Sequence, residues 1–323
     1  MKIKNILAVR NDRFGEFLLN IPALRALKEA YPGSKLTLVV SPYLRELAGC
    51  LDCADEVITW ENRNHKFSEV LECSRQLKAK KFDLCVIFNP SREFNIISFL
   101  AGIPRRIGYN RKLGILLTRR IEDRKHLGER HEVEYNLQLA ELAGAKTTNP
   151  NPALRINQDA LKGLSGELGA LKDSVSLVAV HPWTSDPIKQ WPLDNFYALT
   201  RKLMNLPNLK VVIVGGQEEM SKAARVFNEK EDGLLNLTGK TSLKQLAAIL
   251  KRCKLLISGD SGPVHLAASV GTPTIAIFRS DIPAKGSKRW GPWGSGHIVI
   301  EKDNLLEITV GEVFNKVQEG LKK

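Results

Sequence analysis

Four polar segments of this chain, each placed directly after an apolar run, carry residue types at spacings that could do chemistry. The longest is Ser258 to Phe278, SGDSGPVHLAASVGTPTIAIF. It reads as a strand end, a Gly/Asp/Ser/Gly turn, Pro263 in a first helical turn, a helix and another strand. Glycines let backbone approach a ligand, and the free N–H groups at a helix start favour a phosphate. Asp260 and Ser261 would then meet the ligand; alternatively Asp260 only caps the helix. The second segment is HPWTSDPIKQWP, His181 to Pro192. Lys189 is a flexible cation suited to neutralising a diphosphate leaving group, with Thr184 and Ser185 as hydroxyl donors. The bland alternative is a solvated lysine beside a tryptophan that anchors the loop.

The third segment, GGQE from Gly215 to Glu218, ends a further apolar run. An acidic residue at the end of a Rossmann-like strand commonly accepts hydrogen bonds from ribose hydroxyls, which selects Glu218, with Gly216 beside it and Glu219 as a near neighbour. The fourth, RNDRFGE from Arg10 to Glu16, offers the carboxylates of Asp12 and Glu16 around Gly15. Either could take a proton from a hydroxyl nucleophile, or both could cap the following helix.

Composition narrows the partners. Lys+Arg 48 against Asp+Glu 35 leaves +13, which calls for nucleic acid, an anionic membrane face or small phosphorylated substrates. Nearly half of that excess lies in residues 105–130. Nine basic side chains there (Arg105, Arg106, Arg111, Lys112, Arg119, Arg120, Arg124, Lys125 and Arg130) face three acidic ones, Glu122, Asp123 and Glu129. This stretch suits a phosphorylated or carboxylated acceptor, or an anionic membrane surface, unless it is simply a solvated loop. Nucleic acid fits less well, because no recognition-helix or RNP-type signature is present. The six histidines show no HExxH spacing, Cys50 and Cys53 form a lone CxxC, and neither GxSxG nor GxxxxGK[ST] occurs. Metal catalysis, serine hydrolysis and P-loop chemistry therefore lack support, and neither a metal nor a cofactor is expected. No apolar run reaches the roughly 18 residues of a membrane span, and Ile6 to Val9 is too short for a signal-peptide core, so a cytoplasmic protein is expected.

The elements that must position these loops are legible as an alternation. Apolar runs at 3–9, 35–40, 56–60 and 83–88 alternate with helical patterns such as FLLNIPALRALKEAYP and EVLECSRQLKAKK. A polar Asn/Pro-rich stretch at 145–157 reads as a linker. The alternation then restarts at 176–180, 210–216, 254–260 and 274–278. With 323 residues and 43% hydrophobic content, this predicts an α/β protein of two Rossmann-like domains facing a cleft, with ligands at the carboxyl ends of parallel strands.

Taken together, these segments resemble the heptosyltransferase family of lipopolysaccharide core assembly, glycosyltransferases of the two-domain GT-B fold. RNDRFGEFLLNIPALRALKEAYP, HEVEYNLQLAELAGA, HPWTSDPIKQWP, VGGQEE and GDSGPVHLAASVGTPTIAIF carry the likeness over nearly the whole chain, most specifically in the last segment and in the Lys189-x-Trp191-Pro192 ending. The resemblance implies an acceptor-binding domain at 1–155 and a nucleotide-sugar domain at 156–323, whose last helix could pack back on the first. It implies a metal-independent, inverting transfer of a heptose from ADP-heptose to a phosphorylated lipopolysaccharide core acceptor, by a cytoplasmic enzyme with peripheral contact to the inner membrane. Lys189 matches the family's diphosphate-binding lysine, Glu218 its ribose-binding glutamate, and Asp260, Ser261, Gly262 and His265 its donor loop. Thr184, Ser185 and Gly216 complete the expected donor contacts. Arg10, Arg13, Arg119 and Arg120 are the expected acceptor contacts. The family usually carries Gly-Asp in the first loop, its aspartate serving as general base. Here Gly15 is followed by Glu16, making Glu16 the first candidate and Asp12 the second. A divergent member using another nucleotide sugar, or a non-catalytic sugar-nucleotide or lipopolysaccharide binder, is the alternative.

Overall fold

A computed structural model describes residues 2–162, 175–227 and 233–322. The chain divides into two compact units, Met1–Pro152 and Ala153–Lys323, three residues before the expected boundary. Leu154 accounts for the difference, and Ile156 follows it into the second unit. Both are buried, and they are tied to the second unit by Leu154 N–H donating to the Ser269 carbonyl (2.8 Å) and Lys251 Nζ donating to that of Ile156 (3.1 Å).

In the first unit β1 (Asn5–Val9), β2 (Lys35–Val40), β3 (Glu56–Thr59), β4 (Leu84–Ile87), β5 (Arg105–Tyr109) and β6 (Arg119–Ile121) form one parallel sheet in the order β3-β2-β1-β4-β5-β6. The second unit repeats the plan. Its strands β7 (Ser176–His181), β8 (Leu209–Ile213), β9 (Leu234–Asn236), β10 (Leu255–Gly259), β11 (Thr274–Arg279) and β12 (Ile298–Lys302) run β12-β11-β10-β7-β8-β9. Counted within its own unit, each sheet has the 3-2-1-4-5-6 order of the Rossmann fold. Central strands such as LCVI of β4 are apolar throughout because parallel sheets are covered by helices on both faces.

Three strands escape the apolar-run criterion. β5 opens on Arg105 and Arg106, β6 is the open edge RRI, and β12 is the edge IVIEK, so one or both ends of each remain in water. Arg105, Arg106, Arg119 and Arg120 of the basic stretch thus belong to strands, and the remaining basic residues to the turns around them. The single helical pattern after β1 is broken into helices Phe14–Leu18 and Ile21–Ala30, because Pro22 lacks an N–H and sits only where a helix begins.

The second unit's core includes Trp191, Phe196, Ile257, Ile277, Val313 and Val317. The last two come from the C-terminal helix Val310–Leu321 and lie buried in this core. Trp191 is completely buried, meets Phe196 edge-on and donates its indole N–H to the Ile308 carbonyl at 2.9 Å. Trp191→Ala should destabilise the protein by about 3–5 kcal/mol, since a large cavity and an orphaned carbonyl are created together. Urea unfolding measures this, and a loss below about 1 kcal/mol would show that the pocket collapses freely.

Candidate active site

In each sheet the strand order reverses between the first and fourth strands, the place where open α/β sheets bind ligands. In the first unit this lies between β1 and β4, paired in register as Val9↔Ile87. Their loops are bridged by Asn89 Nδ2 donating to Asn11 Oδ1 at 3.1 Å, while Ser41 Oγ donates to the Asn11 carbonyl at 2.5 Å.

Arg10 is the anchor of this loop. Expected on the surface as an acceptor contact, it is only 1% exposed. Its Nε pairs with Asp12 at 2.8 Å and its other nitrogens reach Glu132 (3.2 Å), Asn136 (3.1 Å) and the Phe88 carbonyl (3.3 Å). Burial opposes a charged guanidinium, but the carboxylates of Asp12, Glu132 and Glu16 more than offset it and raise the Arg10 pKa. Its observed contacts therefore position Asp12 and leave no surface for an acceptor. Lys125, also buried, completes the cluster by pairing with Glu132 at 2.6 Å beneath the Tyr109 ring. Removing Glu132's charge should cost about 3–5 kcal/mol, because two buried cations would lose their common carboxylate. A Glu132→Gln protein whose chemical unfolding midpoint is unchanged would contradict this assignment.

Glu16 occupies the first turn of helix Phe14–Leu18 and is half-buried. Burial first, then the nearby charge of Asp12, lifts its carboxyl above the ordinary glutamate value despite Arg10 and Arg13. Neither carboxylate caps the helix: the N-cap is Arg13, which is exposed and makes no side-chain cap bond. Tyr43 joins them from the turn after β2, its hydroxyl donating to the Asp12 carbonyl at 3.0 Å. Burial and the charges of Asp12 and Glu16 push that phenol up to about 12, so it stays protonated.

Beside Asn11 opens a polar cavity of about 480 Å³, bordered by Arg63, Asn89, Arg92, Glu93 and Lys112. Arg63 and Arg92 were not singled out from the sequence; their signal is that they follow β3 and β4 as the other site residues follow their strands. Arg119 and Arg120 are not among the residues around this cavity. Both are exposed on β6, paired with Ile107 and Gly108 of β5.

The second switch point lies between β7 and β10, in register as His181↔Ser258. Lys189 Nζ pairs with Asp260 at 2.5 Å. Both side chains are largely buried, so Lys189 is no solvated surface lysine. Burial raises the Asp260 carboxyl above its ordinary value, and Lys189 opposes that shift. The N-cap of helix Gly262–Ser269 is Ser261, without a side-chain cap bond, so Asp260 serves the ion pair rather than a cap. Ser261 Oγ and Ser258 Oγ lie 2.8 Å apart and each is 3.1 Å from His181 Nδ1. Burial holds the His181 pKa down at about 3, making it a neutral hydrogen-bonding hub at any ordinary pH. His265 is buried one turn into the helix.

Thr184 accepts the Asp186 N–H at 3.3 Å and so shapes the loop, while Ser185 is exposed. Glu218 is exposed in the turn after β8, and its carboxylate lies over Gly216, where a Cβ would stand 2.6 Å from Oε2. Glu219 is half-buried, its carboxyl raised by burial and by Glu218. Gly215 has to be glycine: a Cβ there would lie 2.5 Å from Trp183 Nε1. Two further cations surround Lys189. Lys285 pairs with Asp186 at 3.1 Å, and Arg279, at the end of β11, donates to the Ile188 carbonyl at 3.0 Å. The terminal arginine of TIAIFR was the available sequence signal for the latter.

Among the described residues no group of three or more His, Cys, Asp or Glu side chains could hold a metal ion, and no helix is long and apolar enough to cross a membrane. The arrangement offers a carboxylate base at one switch point. At the other it offers cations and the Gly262 N–H at a helix start, suited to an anionic leaving group.

The chain is 28% identical over 304 residues to a protein of Haemophilus influenzae named as a glycosyltransferase, covering 90% of this chain and 86% of that one. It is 25% identical to lipopolysaccharide heptosyltransferase 2 of Salmonella typhimurium, covering 86% and 83%. The solved structure of Escherichia coli ADP-heptose LPS heptosyltransferase II superposes with a TM-score of 0.84 at 21% identity, covering 98% of each chain. Residues 70–310 match the model of glycosyltransferase family 9 (heptosyltransferase), and the chain is a glycosyltransferase belonging to that family.

Proposed function

We propose that this protein transfers a heptose from ADP-heptose to a hydroxyl of a lipopolysaccharide core acceptor, with inversion at the anomeric carbon. The observation that carries the reading is the Lys189–Asp260 pair beside the Ser261–Gly262 turn, at the switch point of the second sheet. The names of the relatives supply the donor and acceptor classes.

In this reading the second unit holds the donor. Glu218 accepts hydrogen bonds from the ribose hydroxyls. Lys189 and the Gly262 N–H at the start of helix Gly262–Ser269 meet the diphosphate. Asp260 fixes the lysine in place. Glu16 removes the proton from the acceptor hydroxyl as its oxygen attacks the anomeric carbon. The bond from that carbon to the diphosphate oxygen breaks, the electron pair leaves with ADP, and Lys189 neutralises the growing charge. The cavity bordered by Arg63, Arg92 and Lys112 takes anionic groups of the acceptor, which is lipid-borne and meets the enzyme at an anionic membrane face.

Thermal unfolding with ADP, UDP, GDP and CMP at equal concentration tests the donor assignment, since a ligand of the folded state raises its stability by RT ln(1 + [L]/Kd). Selective stabilisation by ADP is expected. Selectivity for UDP or GDP would move the donor to another nucleotide sugar, and no response to any nucleotide would overturn the assignment.

A further inference from the structure

Residues 105–120 carry six basic side chains and no acidic one, and the same stretch also holds exposed apolar side chains. Ile115 is 75% exposed and Leu113 43%, in the turn between β5 and β6. Phe99 (49%) and Leu100 (39%) are exposed at the end of the neighbouring helix Arg92–Leu100. This turn is fastened to that helix. Asn95 Nδ2 donates to the carbonyls of Arg111 (3.2 Å) and Lys112 (2.8 Å). Arg106 donates to the Leu116 carbonyl at 2.8 Å while its guanidinium lies over the Phe99 ring, 5.5 Å from the centroid. Lys112 and Leu113 have left-handed backbone (φ 48° and 67°), which non-glycine residues adopt at a cost. The bonds from Asn95 hold that conformation.

The surface is therefore a fixed apolar edge within a field of cations, the combination that enters the headgroup region of an anionic bilayer. Ile115 and Leu113 gain by leaving water, and the cations around them favour an anionic surface over a neutral one. Lys112 and Leu113 also border the polar cavity beside Asn11, so the apolar edge is continuous with it. We propose that Phe99, Leu100, Leu113 and Ile115, with Arg105 and Lys112, form the surface by which the first unit docks on an anionic phospholipid bilayer, Arg111 being held beside them by its pair with Asp123 at 2.8 Å. Docking there places the cavity mouth at the membrane, where the headgroup of a lipid-borne sugar acceptor is presented; this part rests on the acceptor assignment above.

The test is co-sedimentation of the full chain with vesicles of phosphatidylcholine alone or of equal parts phosphatidylcholine and phosphatidylglycerol, at low and high salt. Binding should require phosphatidylglycerol and weaken with salt. The double variant Phe99→Ser/Ile115→Ser should lower partitioning by about tenfold or more, since two apolar side chains no longer leave water. Arg105→Glu should lower it by at least about fivefold. Leu306→Ser, which removes an equally exposed apolar side chain in the second unit, should bind like the unmodified protein. Thermal unfolding midpoints confirm that the variants remain folded. Equal binding to both vesicle types, no binding, or unchanged binding by the double variant would overturn the proposal. So would concentration-dependent self-association abolished by that variant, which would assign the patch to a second copy of the chain. Transfer to a delipidated acceptor separates the two readings. If it is absent while vesicle binding behaves as stated, the acceptor assignment fails and the docking surface stands. If it proceeds while vesicle binding fails, the reverse holds.

Discussion

Lys189→Ala should lower kcat/KM by roughly 10²–10³, the usual effect of deleting one electrostatic partner of a developing charge. Lys189 is the cation that the structure pairs with buried Asp260, two residues before Gly262, and the loss should fall mainly on kcat, because the charge grows as the glycosidic bond breaks. The variant has a second consequence. Asp260 would remain buried without its counter-ion, and burial already raises its carboxyl above the ordinary value, so it should take up a proton on loss of the lysine. Adding Asp260→Asn to Lys189→Ala should therefore restore much of any lost stability and none of the lost transfer. A double variant that regains transfer would show that the pair is structural, and a single variant of normal kcat would remove Lys189 from the chemistry.

Glu16→Gln should reduce transfer by roughly 10²–10⁴, the range for loss of a general base. Asp12→Asn should reduce it less, because one Asp12 oxygen is already engaged by Arg10 at 2.8 Å and the residue's effect on Glu16 is through its charge. The pH profile separates the two roles. A base must be ionised, so activity rises as pH climbs through the Glu16 pKa, which burial and Asp12 place above the ordinary glutamate value. Asp12→Asn removes a negative neighbour, lowers that pKa and moves the acid limb to lower pH. If Asp12 were instead the base, its loss would remove most activity and the limb with it. Glu16→Asp withdraws the carboxylate by about one bond length, and displacements near 1 Å cost about a hundredfold, so this shortening should also impair transfer. A rise on Glu16→Asp would mean that the glutamate is the poorer base in this loop.

The parts of the molecule legible in the sequence are those whose physics is local. β1, β4, β7 and β10 are buried on both faces and read as uninterrupted apolar runs. The loops after them stand out because charged and glycine residues there have no role in a core. Asp260, Lys189 and Glu16 were visible for that reason, and Glu218 follows β8 in the same way. β5, β6 and β12 were not: the edge strands β6 and β12 keep Arg119 and Glu301 in water, and β5, though paired on both sides, opens on the exposed Arg105, so each lacks the run. The burial of Arg10 was also hidden, since it depends on Glu132, 122 positions away. The cavity beside Asn11 escaped notice for a similar reason: Arg63, Arg92 and Lys112 follow three different strands, and only the β3-β2-β1-β4-β5 order brings their loops to one end of the sheet. Tyr43 belongs with them, a residue of no distinctive motif that the turn after β2 delivers to the Asp12 loop.

The central claim, heptose transfer from ADP-heptose to a lipopolysaccharide core, is tested most directly by incubating the protein with ADP-heptose and a heptose-deficient core. Released ADP and product mass are followed together, with the anomeric configuration read by NMR. The account predicts one ADP released for each heptose added, a product of inverted configuration, and no ADP release without acceptor. ADP release with the core unmodified, or a product of retained configuration, would contradict it.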